Sequence, residues 1–317
     1  MQRFAALPGA GSLQAKVGMI ATAVAVVLLL YYPAGMIWRH AINDDTAFVV
    51  PERLAVDGGS RAVEVVRALV DREINETPWV ANDPWFVPST LLDNMPNYQQ
   101  GIVYAASRFV IEMADQVGRT RGSSQVDPDL DTAAGRIKFS GNIWLWDPKV
   151  SWMPQASSES QYRDAIKALG RYNTRLAEGN AVFDRRADNL MAVLERIAAD
   201  VGSASATIET GIAEGSGGLF DWRADDIFYG TKGRLYAYYL ILRELGTDFE
   251  AVINERNLGG VWQQMLDSFR VAAELRPIVV SNTDTDDLLF NTHLAVQGFY
   301  LLRARTQLRE VVNVLLK

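Results

Sequence analysis

Between Lys16 and Arg39 lie twenty-two residues, Val17 to Trp38, without one charged side chain. As a helix such a run spans ~33 Å at ~1.5 Å per residue, enough to cover a hydrocarbon core of ~30 Å. Its centre, Ala23-Val24-Ala25-Val26-Val27-Leu28-Leu29-Leu30, is apolar on every side, whereas a helix on a protein surface keeps one polar face. Tyr31, Tyr32 and Trp38 gather toward one end, where amphipathic rings favour the headgroup layer. Pro33 is expected to bend or end the tight part of the helix, because it lacks an amide proton and crowds the preceding turn. The stretch is longer than the ~7–15-residue apolar core of a cleaved signal peptide. Its small-x-small triplet, Ala21-Thr22-Ala23, comes before the most apolar part. The reading is an uncleaved transmembrane signal anchor over residues 17–38, preceded by a cytoplasmic tail over 1–16. Arg3 and Lys16 on one side face Arg39 and Arg53 on the other, so positive charge gives only a slight inward bias to the amino terminus. The short tail adds to it, and the body is expected outside the cytoplasm.

The chain of 317 residues leaves enough length after the anchor for a real core. With 49% hydrophobic and 22% charged residues, the body reads as globular and not as a disordered stalk. Thirty-one Lys and Arg against 38 Asp and Glu give a formal net charge of −7. An acidic body without a basic run is a poor partner for nucleic acid, whose binding rests on neutralising phosphates, and for broad adhesion to anionic lipid. Cysteine is absent, which removes disulfides, thiolate metal sites, iron–sulfur clusters and cysteine nucleophiles together.

Along the chain, residues 39–59 read as a linker, marked by Asp44, Asp45, Pro51 and Gly58-Gly59. A helical body over 60–317 follows. Ser60 looks like the cap of a first helix carried by Val63, Val66 and Val70. Residues 77–97 are punctuated by four prolines and read as irregular; a long helix follows from about Pro96 to Arg119, with Asn94 as its cap. Asp127-Pro128-Asp129-Leu130-Asp131 marks another helix start, its acids facing the positive end of the dipole. Residues 141–156 are irregular again, with a short extended piece at Ile143–Trp146. Ser158 and Gln161 have capping-box spacing and open a helix to about Glu178. A helix over Phe183–Val201 is followed by a glycine-rich stretch at 202–218, the best candidate for an internal break. Lys232–Leu245 reads as an apolar central helix, Gly259-Gly260 precedes one ending before Pro277, and the last runs from about Thr285 to the terminus. No stretch alternates with period two. The fold class expected is all-α: one N-terminal transmembrane helix followed by a large helical soluble body.

The chemistry is bounded mainly by what is missing. Two histidines, His40 and His293, cannot build an HExxH or a histidine-rich metal centre. No Walker loop, dinucleotide fingerprint or nucleophile elbow is present. Asp127, Asp129 and Asp131 have calcium-loop spacing, but the sixth position is Thr132 and the twelfth is Lys138, where that loop needs glycine and glutamate. Asn282, Asp284 and Asp286 fail similarly, with His293 in twelfth place. Both clusters read as helix starts, and no cofactor or metal is expected. Glu112, Asp115, Glu214, Asp225 and Asp226 are carboxylates for glycosidase-like work only in the loose sense that 38 acids guarantee pairs.

Tryptophan placement stands out. Trp79 and Trp85 lie in one proline-bracketed segment and Trp144, Trp146 and Trp152 in another, while Trp222 sits in an aromatic stretch running to Phe228-Tyr229. Aromatics on loops anchor partner proteins, sugars or a bilayer surface, but they also lock long loops onto a core. In the last helix Leu294, Leu301, Leu308 and Leu315 recur every seven residues. The alternate seam, Phe290, Gln297, Ala304 and Val311, is too mixed for a coiled coil, so a core helix is expected.

Three stretches carry a resemblance: Leu91-Leu92-Asp93-Asn94-Met95-Pro96-Asn97, Arg119-Thr120-Arg121-Gly122-Ser123-Ser124, and Asp184-Arg185-Arg186-Ala187-Asp188-Asn189-Leu190. Through them the chain resembles a family of bacterial envelope proteins, domain-of-unknown-function family 2333, over nearly its whole length. The resemblance implies a Gram-negative inner-membrane location and transfers no catalytic residues. The resulting expectation is a scaffold or accessory subunit of an envelope assembly, touching lipid through its anchor and protein partners through its body, with homo-oligomers left open. The alternative is a peptidoglycan- or sugar-directed enzyme or binding module using the acidic and aromatic loops.

Overall fold

The computed structural model describes residues 13–120, 126–146, 152–214, 222–277, 280 and 293–317. Among them there are helices and no strands, and the chain is all-α as expected. The first helix, α1 (Leu13–Arg39), passes through Pro33 without ending there. It is long and apolar enough to cross a membrane, and none of its apolar window is buried against the body.

The next helix, α2 (Arg61–Asp71), begins where expected. The Ser60 hydroxyl accepts from the Val63 amide at 3.2 Å and donates to Asp248 at 2.6 Å. That carboxylate also takes the amides of Arg61 and Ala62, each at 3.0 Å, so two side chains satisfy the free donors of one helix end. After α2 the backbone widens into a π-helical turn at Arg72–Glu76. α3 (Asn94–Thr120) starts one residue earlier than the cap at Asn94 implied; Asp93 accepts the Asn94 amide instead, at 2.9 Å. Its stripe of Ile102, Ala106, Phe109 and Met113 is buried.

α4 (Pro128–Ile137) is capped by Asp127, which takes the amides of Asp129 and Leu130 and is clamped by Arg175 at 2.6 Å. The calcium-loop spacing is thus a helix cap. α5 (Ser158–Ala177) is capped by Ser157, one residue before the expected Ser158. Ser158 is buried instead, its hydroxyl donating to the Ser140 carbonyl at 2.7 Å and accepting from the Ile143 amide at 3.0 Å. It holds residues 140–146 as an irregular loop, without the extended piece expected at Ile143–Trp146.

The expected break at 202–218 is not a break as far as Glu214: α6 (Ala187–Glu214) runs straight through it. Gly202 faces Arg305 of a later helix, and Gly211 faces Ile227 and Leu294. They make room for neighbours. α7 (Trp222–Asp248) starts earlier than expected, so the aromatic stretch from Trp222 to Tyr229 forms its first turns. A short α8 (Glu250–Glu255) and α9 (Gly259–Ala273) follow, and α10 (His293–Leu315) closes the body. The expected start of that last helix near Thr285, and the Asn282–Asp286 cluster, lie outside the described residues. The sevenfold leucines of α10 are buried with Ala304 and Val311 in the same core as α2 to α9, a core helix as expected.

α3 and α7 form the axis of the body and approach closely at two glycines. A Cβ on Gly101 would collide with the Gly230 carbonyl, and one on Gly233 with the Tyr98 carbonyl. The segment read as a linker does not hang free. Tyr98 and Tyr236 donate to the carbonyls of Asn43 and Asp45 at 2.7 and 2.9 Å, and Arg243 donates to those of Thr46 and Phe48 at 2.9 and 2.7 Å. Residues 43–48 are therefore strapped to the body directly after α1.

Candidate functional site

Two places on the described surface gather chemistry. The first is built from the proline-bracketed segments. A 3-10 turn at Pro88–Leu91 packs against the carboxyl end of α1, where Gly35 leaves room for the Pro88 ring and any Cβ would clash with it. The Tyr31 and Tyr32 hydroxyls donate to the carbonyls of Phe86 and Trp85 at 3.2 and 2.9 Å. Arg39 lies 3.9 Å from Asp83, which also accepts from the Ser89 hydroxyl. From there the contact passes to the second segment: Phe86 meets Trp144 edge-on at 5.7 Å between ring centroids, and the Trp146 indole donates to the Trp152 carbonyl at 3.3 Å.

The expected site tryptophans thus separate. Trp79 is 4% exposed, edge-on to Tyr162 at 5.3 Å, with its N–H on the Gly141 carbonyl at 2.8 Å. It bolts the two segments to the core. Trp144 is half-buried beneath Phe86. Trp85 and Trp152 are 77% and 79% exposed, and Trp146 is also open to solvent. The side chain of Trp222 lies outside the described residues. Phe86, Leu91, Leu145 and Met153 are exposed beside these tryptophans and had not been singled out.

The second place is an open cleft of about 620 Å³ across α3 and α7, closed at one side by the end of α4. Tyr104 lies at its floor, with the Arg234 guanidinium 4.1 Å and the Arg108 guanidinium 6.0 Å from the ring centroid. Arg108 is held by Asp200 at 3.0 Å, itself bonded by the Tyr238 hydroxyl at 2.8 Å. The buried Nε of Arg234 has no hydrogen-bond acceptor. On the opposite wall Asp226 accepts from Asn97 at 2.6 Å; burial, then the nearby Asp93 carboxylate, push its carboxyl above the ordinary value. Of the carboxylates flagged from sequence, Asp226 lines this cleft, whereas Glu112 pairs with Arg196 at 3.2 Å elsewhere. The Tyr104–Arg108 spacing of four was a readable signal for half of the cleft; nothing in the sequence announced Arg234, which comes from a helix more than a hundred residues later.

A third polar cluster is structural. Lys232 of α7 is 2% exposed and donates to the Ala273 and Leu275 carbonyls at the end of α9, at 2.7 and 2.6 Å. There its charge meets the negative end of that helix. It also pairs with Asp44 at 2.7 Å, and Arg276 donates to the same carboxylate at 2.9 Å. Burial alone would push the Asp44 carboxyl up, but hydrogen bonds from Arg276 and Lys232 outweigh it and hold it below the ordinary value.

Fold and site together define a class: an all-α body bonded to the carboxyl end of one exposed apolar helix. The chain belongs to the family described as an uncharacterized protein conserved in bacteria (DUF2333), whose model matches residues 15–216. The match takes in α1 to α6 and stops short of α7 to α10, less than the nearly full length that the motifs implied. No curated protein and no solved structure matches the chain.

Proposed function

We propose that this protein is a single-pass inner-membrane protein whose helical body stands on the periplasmic side as a scaffold or accessory subunit of an envelope complex. One observation carries the reading. The apolar window of α1 is wholly unburied, yet its last turns are hydrogen-bonded to the body through Tyr31 and Tyr32. An unburied helix of this length and composition has its natural solvent in lipid, and the bonds would fix the body's attitude to the bilayer, as a scaffold needs. Affinity capture from gently solubilised membranes, with mass spectrometry of the intact species, tests it. A discrete complex of fixed stoichiometry is expected, and a lone monomer would overturn the scaffold role. A reporter fused after Lys317 should be active only outside the cytoplasm.

The cleft favours a second reading, a sugar- or peptidoglycan-directed binding module. Arg234 with an unsatisfied Nε, a Tyr104 face and the Asn97–Asp226 pair offer a cation, a stacking surface and hydrogen-bonding groups to a polar ligand. Calorimetric titration with soluble muropeptides separates the two readings. Binding lost in Arg234→Gln supports the module, and no binding to the native chain sinks it.

A further inference from the structure

The exposed aromatic segments sit at a defined depth relative to α1, and that depth restricts what covers them. Lys16 marks one end of the uncharged run. Counting ~20 residues from it, the number that crosses ~30 Å of hydrocarbon, places the far boundary near Met36. Tyr31 and Tyr32 then lie ~6–8 Å inside that boundary at ~1.5 Å per residue. Their hydroxyls are bonded to the backbone of Trp85 and Phe86, and Pro88 packs against Gly35, so residues 84–91 are held at or just inside the boundary between hydrocarbon and headgroups and cannot stand clear of it.

Their chemistry agrees with that height. Residues 84–92, Pro-Trp-Phe-Val-Pro-Ser-Thr-Leu-Leu, carry no charge, nor do 141–146 or 152–158. Trp85, Phe86, Leu91, Leu145, Trp146, Trp152 and Met153 are all exposed, a mixture of indole rings and aliphatic chains suited to the membrane–water boundary. The second segment follows the first through the Phe86–Trp144 contact, so the apolar surface is continuous with the anchor.

We infer that these segments form a collar that enters the outer interfacial layer of the same bilayer α1 crosses, docking the body onto lipid. The inference rests on the membrane-anchor reading of α1. Because the collar has no net charge, with Asp147 and Lys149 the only ionic side chains between residues 141 and 158, and the chain carries a net charge of −7, docking is apolar and persists in high salt, unlike a polybasic contact.

The absence of cysteine makes single-site labelling of the full chain direct. Four variants, Leu28→Cys, Trp85→Cys, Met153→Cys and Glu195→Cys, would each carry an environment-sensitive fluorophore in phosphatidylcholine–phosphatidylglycerol vesicles with nitroxide lipids. Glu195 is an exposed control beside Arg196, which pairs with Glu112, ~27 Å along α3 from its start near the collar. The expected result is blue-shifted, strongly quenched emission at 28, 85 and 153 and unquenched emission at 195, unchanged in 1 M salt. Quenching at 28 with 85 and 153 like 195 would overturn the collar and leave the anchor standing; the exposed aromatics would then face a protein. No quenching at 28 would overturn the anchor and the collar together. Quenching at 85 and 153 that salt abolishes would overturn the apolar mode.

Discussion

α1 and α7 are both 27 residues long, and each was recognised from an apolar run, yet their surroundings are opposite. None of the apolar window of α1 is buried against the body, which meets the helix only at its last turns, through Tyr31, Tyr32 and Gly35. α7 packs against α2, α3, α6 and α9, with Leu235, Tyr236, Ala237, Tyr238 and Leu240 to Leu242 at or near zero exposure. The charges explain the difference. α1 places Lys16 and Arg39 at its two ends and none between. α7 carries Lys232, Arg234 and Arg243 within its length, and Lys232 is buried only because Asp44 and two carbonyls receive its ammonium. A helix whose polar groups need named protein partners belongs in a protein core; one without such groups is free to use lipid.

Four experiments break or sharpen that contrast. The largest effect is expected for Asp44→Ala, which strips the buried Lys232 of its counter-ion; losing one partner of a buried pair costs about 3–5 kcal/mol, readable by denaturant unfolding of the body in detergent. Leu28→Arg, at the middle of α1, should leave that unfolding midpoint in place and instead disfavour insertion by about 2.5–3.5 kcal/mol, seen as chain lost from the membrane fraction. A stable, fully integrated Leu28→Arg protein would contradict the lipid environment proposed for α1. Gly233→Ala forces a Cβ into the Tyr98 carbonyl and is expected to destabilise by about 1–3 kcal/mol, whereas Gly18→Ala, with open space around it, should be silent in the same melt.

The smallest effect concerns pH. Asp44 and Asp127 are buried, which alone would raise them, but Arg276 with Lys232, and Arg175 with the α4 amides, hold both carboxyls below the ordinary value. A depressed carboxyl contributes its full stabilisation above the unfolded value and loses it as pH falls through the folded one. These two carboxyls should therefore weaken the body progressively as pH falls through the ordinary carboxylate range towards their lower folded values. Val17 to Trp38 has no acid, base or histidine, so its helicity in lipid should be flat across that range. An acid-insensitive melting midpoint would remove these two carboxylates from the account.

How far the sequence could be read depended on the range of the interaction. Ser60 as a cap and the Asp127 cluster as a helix start are legible because a cap bonds amides two or three residues away. The Ser157 cap was placed one residue late because Ser158 offers the same chemistry locally, and only the distant Ser140 carbonyl claims it. Among the loop aromatics, Trp79 and Trp85 looked alike, six residues apart between prolines. Tyr162 and the Gly141 carbonyl bury the first, and the described residues leave the second exposed.

By itself, the sequence determined that the protein has one exposed-capable apolar helix and an all-α body, because uncharged length, cap chemistry and helical period are local properties that need no partner. Only the tertiary structure decided that α6 continues through its glycines, that residues 43–48 are a strap, and that Arg234 reaches Tyr104. Each of these depends on which surface arrives from far along the chain, and the balance between exposing a group and bonding it is set only when that surface is in place.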